Sequence, residues 1–153
     1  MRREEIQAMS EEQIRGETAH LFTLVRNIPF VLGTHSKPDS LLSDNKGHCT
    51  NKHLFLLPRL QRLGYHVELG IAQFDWRDIE PIPKEITAIL KDPIDTHLFL
   101  YATRHDKNMV IDATWDPGMP SGFQINSWDG EGQTTIGVPV LSIHRISYNT
   151  LMA

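Results

Sequence analysis

The chain has 153 residues, of which 40% are hydrophobic and 22% are charged, and its formal net charge is −4. This balance is typical of a globular protein with a hydrophobic core, and the length fits a single domain over residues 1–153. Basic residues are scattered rather than clustered, which argues against a nucleic-acid partner. No apolar run approaches the roughly 20 residues that a membrane-spanning helix needs, so we expect no membrane partner either.

The sequence contains one cysteine, which cannot form an internal disulfide. The N-terminal residues include no apolar stretch of the kind that secretory signals carry. Both features predict a reducing, cytoplasmic setting, in which the thiol is available for chemistry.

The first predicted element is a helix over about residues 10–27. Ser10 and Gln13 fit a capping box, in which each side chain bonds the backbone N–H of the other residue. A broad apolar face follows at helical spacing, and Pro29 ends the helix. Residues 33–47 are rich in turn-forming residues and predict an exposed loop.

A second helix is predicted to begin near Cys49 and to end at Gly64, a residue type that suits the position after a helix C-terminus. Pro58 lies in its middle and should kink it, because proline removes one backbone hydrogen bond. The apolar face of this helix is formed by residues at helical spacing, namely Cys49, His53, Leu56, Leu57, Leu60 and Leu63.

Strand patterns dominate the second half of the sequence, where short apolar or alternating runs are separated by turn-forming residues. In chain order the predicted elements are a strand at 65–74, a short helix at 81–90, a strand at 96–103, a turn at 104–108, a strand at 109–115, an irregular segment at 117–137 and a strand at 138–146. The strand at 96–103 is apolar on both faces, so we expect it inside the sheet. Helices followed by an antiparallel sheet predict an α+β fold.

Three residues form the set that thiol catalysis needs: Cys49 at a helix start, His97 at a strand start and Asp112 in the next strand. A free thiol has a pKa of about 8.5 and is mostly protonated at neutral pH. The positive end of a helix and a neighbouring imidazolium both favour the thiolate. A carboxylate beside the imidazole orients the ring and stabilises its charged form.

The predicted hairpin can bring His97 and Asp112 together. The two residues oppose each other directly, with Cβ atoms about 5 Å apart, if the turn is centred between Arg104 and His105. A turn centred on Asp106-Lys107 would keep both side chains on one face but four residues apart, and a bulge would then be required.

Four short motifs carry a family resemblance. Gly47-His48-Cys49 begins the second helix, Arg62-Leu63-Gly64 ends it, His97 lies in the segment THLFLY at the start of a predicted strand, and Asp112 opens the segment DATW. In this order the motifs resemble those of the transglutaminase-like superfamily, within the papain-like cysteine hydrolase architecture, over about residues 20–116. The resemblance implies N-terminal helices packed on an antiparallel sheet, with Cys49 as nucleophile, His97 as general base and acid, and Asp112 as the orienting residue.

Catalysis of this kind also needs donors for an oxyanion. The backbone N–H of Cys49 is one such donor. His48, His35 and Asn45 are candidates for a second, and Trp115 is a candidate for the wall of the cleft.

Two residues depart from the family pattern. His53 lies where members often have a small residue behind the cysteine, and Pro58 interrupts the helix. A zinc site formed by His48, Cys49 and His53 is the rival chemistry, but their spacing is poor for one helical face. We therefore expect no metal and no cofactor.

The expected function is cysteine-dependent acyl transfer on amide or ester bonds, as a protease, deamidase or transglutaminase, through a thioester on Cys49. The substrate would be a protein, a peptide or a small amide, and either water or an amine would complete the reaction. Two alternatives are a non-catalytic binding module on the same fold and a small-molecule acyltransferase. Turnover or covalent trapping of Cys49 separates the enzyme from the binding module.

Overall fold

The computed structural model describes residues 2–33 and 37–147 as an α+β fold with a four-stranded antiparallel sheet. The helices are α1 (Arg3–Gln7), α2 (Glu11–Arg26), α3 (Leu41–Asp44), α4 (Cys49–Arg62) and α5 (Lys84–Thr87). The strands are β1 (His66–Asp75), β2 (Ile94–Arg104), β3 (Lys107–Ile111) and β4 (Ser142–Ser147). Among the helices of these residues, none has the length and apolar character needed to cross a membrane.

The N-terminal half confirms the first predicted helix. Ser10 Oγ accepts a hydrogen bond from the Gln13 N–H at 3.1 Å, and Gln13 Oε1 accepts one from the Ser10 N–H at 2.8 Å. This capping box begins α2 at the predicted place. The sequence reading missed α1, a five-residue helix with one buried side chain, Ile6.

The segment predicted as a loop at 33–47 is partly helical, which corrects the sequence reading. A 3₁₀ turn (Pro38–Ser40) leads into α3, whose Leu41 is fully buried. Burial of the Leu41 side chain stabilises this short helix. The turn-forming composition of the segment does not reveal that contribution. Asn45 then adopts a left-handed conformation (φ 50°) and ends α3.

α4 runs without interruption from Cys49 to Arg62, through the proline that was expected to kink it. Pro58 is exposed, so its ring lies on the solvent side of the helix. Gly64 follows the helix with φ 98°, as expected for the residue that reverses the chain after a C-terminus.

The strand order is β3-β2-β1-β4, and neighbouring strands are antiparallel, so β2 lies inside the sheet as predicted. β2 and β3 are joined by a two-residue turn at His105 and Asp106, whose φ angles are 51° and 61°. Two positive φ values are typical of the hairpin turn that matches the twist of the flanking strands. Both predicted registers are therefore wrong: the turn is centred between His105 and Asp106.

A helix covers one face of the sheet, and irregular segments cover the other. On one face, alternate residues of β1 and β2, such as Leu69 and Leu100, share a core with Leu56 and Leu60 of α4. This packing of the helix on the sheet is as expected. On the other face Phe74 packs with side chains from the irregular segments of the second half: Ile79, Trp115 and Val138.

Three elements in the second half are shorter than predicted. The short helix at 81–90 is reduced to α5, the strand at 109–115 ends at Ile111, and the strand at 138–146 begins at Ser142. After Ile111 the backbone bonds side chains instead of a neighbouring strand. The Asp112 N–H donates to Thr134 Oγ1 at 2.9 Å, and the Asp112 carbonyl accepts from Asn126 Nδ2 at 2.9 Å.

Candidate active site

His97 and Asp112 form a buried hydrogen-bonded pair at the end of the sheet. His97 Nε2 lies 2.7 Å from Asp112 Oδ2, and the two side chains are 3% and 1% exposed. Because an ionised carboxylate only accepts hydrogen bonds, Nε2 carries the proton that joins the two groups. Nδ1 is then the ring nitrogen left for the thiol.

The register explains how the pair forms although neither predicted alignment is right. The ladder between β2 and β3 ends at Leu100 and Ile111, so its continuation would set Asp112 opposite Phe99. His97 is two residues farther along β2, and residues two apart on a strand share a face. Such a diagonal pair has backbones about 7–8 Å apart, which a histidine and an aspartate can span.

Cys49 is the first residue of α4 and lies beside the open part of this edge of β2. β3 ends opposite Leu100, so the preceding residues of β2 have no β3 partner within the described chain. The start of α4 lies beside this place, because Cys49 lines the same cleft as Thr96 and His97 of β2. The thiol is partly buried and also interacts with the side chain of His97.

The surroundings of Cys49 favour its thiolate. Burial raises the pKa of the thiol, but hydrogen bonds from the His48 and His97 side chains, the positive charge of His97 and the Leu98 N–H outweigh burial. Together these interactions lower the pKa from 9.0 to about 6. At neutral pH the group is therefore mainly a thiolate, the reactive form of cysteine.

His97 and Asp112 stabilise each other's charged form. Burial alone would lower the pKa of His97, but the charge of Asp112 and hydrogen bonds with Asp112 and Cys49 raise it well above its ordinary value. Burial alone would raise the pKa of Asp112, but the charge and hydrogen bond of His97 lower it well below its usual range. The favoured state is a thiolate on Cys49, an imidazolium on His97 and a carboxylate on Asp112.

Asp112 is held in place by further donors. Its Oδ1 accepts hydrogen bonds from the Thr114 N–H at 3.0 Å and from Thr114 Oγ1 at 2.5 Å. Its Oδ2 accepts from the Gly137 N–H at 2.7 Å as well as from His97. Both oxygens are thus occupied, and the carboxylate has one orientation toward the imidazole.

The thiol opens into a cleft of about 250 Å³. Four aromatic side chains contribute to its walls, namely Phe30, Phe74, Trp76 and Trp115. Asp95 lies at its rim, where its Oδ2 accepts a hydrogen bond from Trp76 Nε1 at 3.0 Å. An apolar lining with a few polar groups beside a reactive residue is typical of a substrate site.

The sequence-predicted cleft residues have different fates. Trp115 lines the cleft as expected, and its Nε1 donates to the Gly137 carbonyl at 2.7 Å. His48 is the N-cap of α4, where its Nδ1 accepts from the Thr50 N–H at 3.1 Å while its side chain bonds the thiol. Asn45 is exposed at the end of α3 and is not among the residues that line the cleft. His35 lies outside the described residues.

Two neighbours of the triad were not assigned a role from the sequence. Lys52 and His53 follow Cys49 in α4, and both are fully buried. His53 falls on the apolar face of the helix pattern, but the N–H that bonds its Nε2 belongs to Ala113, 60 residues away, and leaves no local signal. Among the described residues no group of three His, Cys, Asp or Glu side chains is arranged to hold a metal ion.

Comparisons with protein-family models, with curated proteins and with solved structures find no match for this chain.

Proposed function

We propose that this protein is a cysteine-dependent acyl-transfer enzyme that acts on amide or ester bonds, with Cys49 as nucleophile. We further propose that its α+β fold is of the papain-like, transglutaminase-core type. The observation that supports both proposals is the 2.7 Å bond between Asp112 and His97, next to a thiol at a helix N-terminus whose pKa is about 6. A cysteine that only fills a core packs as a small apolar side chain, without a buried imidazole and carboxylate beside it. The pairing of Cys49 with these groups is instead typical of a functional site.

The reaction begins with the Cys49 thiolate, which attacks the carbonyl carbon of the substrate and forms a C–S bond. His97 then donates its Nδ1 proton to the leaving nitrogen or oxygen, and the C–N or C–O bond breaks to give a thioester. In the second half, water or an amine attacks the thioester. His97 accepts a proton from the attacking group, and the Cys49 thiolate leaves.

The negative oxygen of the tetrahedral intermediate needs donors. Cys49 is the first residue of α4, and the N–H of such a residue is not used within the helix. This N–H is one oxyanion donor, and its place at the positive end of the helix dipole favours the negative oxygen. We propose His48 as the second donor: its Nδ1 accepts from the Thr50 N–H, so Nε2 carries the N–H of the ring.

The substrate we propose is a protein, a peptide or a small amide whose acyl group enters the aromatic cleft beside Cys49. No nucleic acid or membrane is needed for this chemistry. A reducing compartment such as the cytoplasm suits an enzyme that depends on one free thiol.

Trapping of the acyl-enzyme tests this function. The protein is incubated with a panel of peptide amides, glutamine peptides with and without a primary amine, and activated thioesters, and intact-mass spectrometry detects adducts. We expect wild type to gain the acyl mass and release product, and Cys49→Ala to do neither. Turnover that persists in Cys49→Ala would refute the assignment of the nucleophile. A reactive thiol without any adduct would favour a binding module, and turnover only with thioesters would favour a small-molecule acyltransferase.

A further inference from the structure

His53 connects the start of α4 to the segment that carries Asp112. Its Nδ1 lies 2.7 Å from the Cys49 carbonyl oxygen, and its Nε2 lies 3.0 Å from the backbone nitrogen of Ala113. One buried ring therefore touches both the nucleophile residue and the residue that follows Asp112.

The partners of His53 determine its protonation. A carbonyl oxygen only accepts and a backbone N–H only donates, so Nδ1 carries the proton and Nε2 is the acceptor. A proton on Nε2 would break the bond to Ala113. The charged groups that act on His53 are Asp112, whose Oδ1 lies 3.8 Å from Nε2, together with His97 and Lys52. Burial outweighs the attraction of Asp112 and lowers the pKa of His53 to about 4.

Lys52 also bonds the segment that follows Asp112. Its Nζ donates to three backbone carbonyls: Thr114 at 2.8 Å, Arg26 at 3.2 Å and Ala113 at 3.3 Å. An ammonium group has three donors, so this fully buried side chain is completely bonded. The residues after Asp112 are thus held by Lys52 through their carbonyls and by His53 through an N–H.

We propose that Lys52 and His53 are positioning residues, which fix the nucleophile helix relative to the Asp112 segment, and that His53 does so as a neutral imidazole. This proposal rests on the proposed function and names the groups that hold its site together. Two imidazoles lie near one carboxylate, and both cannot share its charge equally. Because the Nε2 lone pair of His53 accepts the Ala113 N–H, His53 stays neutral and His97 is the imidazole that pairs with the charge of Asp112.

The test measures alkylation of Cys49 by iodoacetamide as a function of pH, which needs no substrate. His53→Leu removes both ring contacts, His53→Gln keeps an acceptor near Ala113, and His53→Asn keeps a donor near the Cys49 carbonyl. We expect the midpoint of His53→Leu to rise by about one pKa unit, the effect of one weakened hydrogen bond on the ion pair. His53→Gln should restore the wild-type midpoint, and His53→Asn should not, because the bond to the Ala113 N–H is the contact through which His53 holds the Asp112 segment.

A matched control separates positioning from stability. Leu57→Ala opens a cavity in the same helix, away from the triad, and should lower the melting temperature without moving the alkylation midpoint. A His53→Leu midpoint equal to that of wild type would overturn the proposal. If His53→Leu does not fold, equal midpoints for His53→Gln and His53→Asn would overturn it. A wild-type protein with a low midpoint but no acyl adduct would instead refute the proposed function and leave the positioning intact.

Discussion

The replacement Asp112→Asn tests the candidate triad most directly. In the wild type, each carboxylate oxygen accepts a backbone N–H: that of Thr114 at Oδ1 and that of Gly137 at Oδ2. An asparagine amide has one oxygen and one NH₂ group. Either orientation therefore turns the NH₂ toward a backbone N–H, with two donors facing each other in a buried place.

Two magnitudes follow from this geometry. One buried unpaired donor costs about 1–3 kcal/mol, so the free energy of unfolding should fall by about that amount. Loss of the negative charge beside His97 removes the main cause of its raised pKa and weakens the thiolate of Cys49. Acyl transfer should fall by about 10²–10⁴-fold, the range typical of lost general acid–base catalysis, and the alkylation midpoint of Cys49 should move upward toward 9.0.

Asp116→Asn is a matched control for the change in stability. Asp116 is also buried and also accepts two backbone N–H groups, from Phe30 at 2.8 Å and from Gly118 at 2.9 Å. Its asparagine variant meets the same conflict of donors but does not touch His97. Urea unfolding should show similar losses for the two variants, while only Asp112→Asn shifts the alkylation midpoint. Equal midpoints in the two variants would refute the role of Asp112.

Three further predictions concern Cys49 and the sheet. Alkylation of wild-type Cys49 should have a midpoint near pH 6, and a midpoint near 9 would contradict the ion pair. In the folded state the pKa of His97 is raised above its ordinary value of 6.5, so the protonated ring stabilises the fold at low pH and this contribution falls as pH rises above 6.5. The pKa of Cys49 is lowered to about 6, so the contribution of its thiolate to the stability of the fold rises over the same range. The two effects offset each other in wild type. In Cys49→Ala only the His97 contribution remains, so the free energy of unfolding should decline with pH above 6.5, by up to about 1.4 kcal/mol per pH unit. Parallel profiles of unfolding free energy against pH in the two proteins would exclude the coupling between His97 and Cys49. Gly70→Ala would place a Cβ 2.4 Å from the Phe99 ring and should lower the free energy of unfolding in urea by about 1–3 kcal/mol. An unchanged urea midpoint would show that the ring can move aside.

The candidate triad was predictable from the sequence because its geometry tolerates errors. Each shift of the hairpin centre by one residue moves the opposed partner by two positions, so His97 and Asp112 stay on one face. The exact register was not predictable. It depends on His105 and Asp106 adopting positive φ, which the sequence RHDK does not announce as an asparagine-glycine pair would.

The end of β3 was not predictable for a different reason. MVIDATW continues a strand pattern through Trp115, but the backbone of Asp112 is bonded by Thr134 and Asn126, more than ten residues later. Side chains from an irregular segment thus replace a neighbouring strand, and such partners leave no periodic signal. Asn45 is close to Cys49 in sequence, but it is exposed at the end of α3 and does not line the cleft, which its sequence position does not reveal.

The two halves of α4 contribute differently to the molecule. Leu56, Leu57 and Leu60 in the later turns are fully buried and supply apolar packing against the sheet. The first turn places Asn51, Lys52 and His53 in equally buried positions, which apolar residues would fill without the penalty of desolvating polar groups.

Each of the three polar residues bonds the backbone at a different place. Asn51 Oδ1 accepts the N–H of His48 at 2.7 Å, Lys52 bonds three carbonyls, and His53 bonds one carbonyl and one N–H. Apolar packing tolerates sliding of one surface over another, whereas hydrogen bonds of this kind specify position and direction. The helix therefore obtains stability from its leucines and the position of its thiol from its polar first turn, where local departure from the apolar pattern is expected of a functional site.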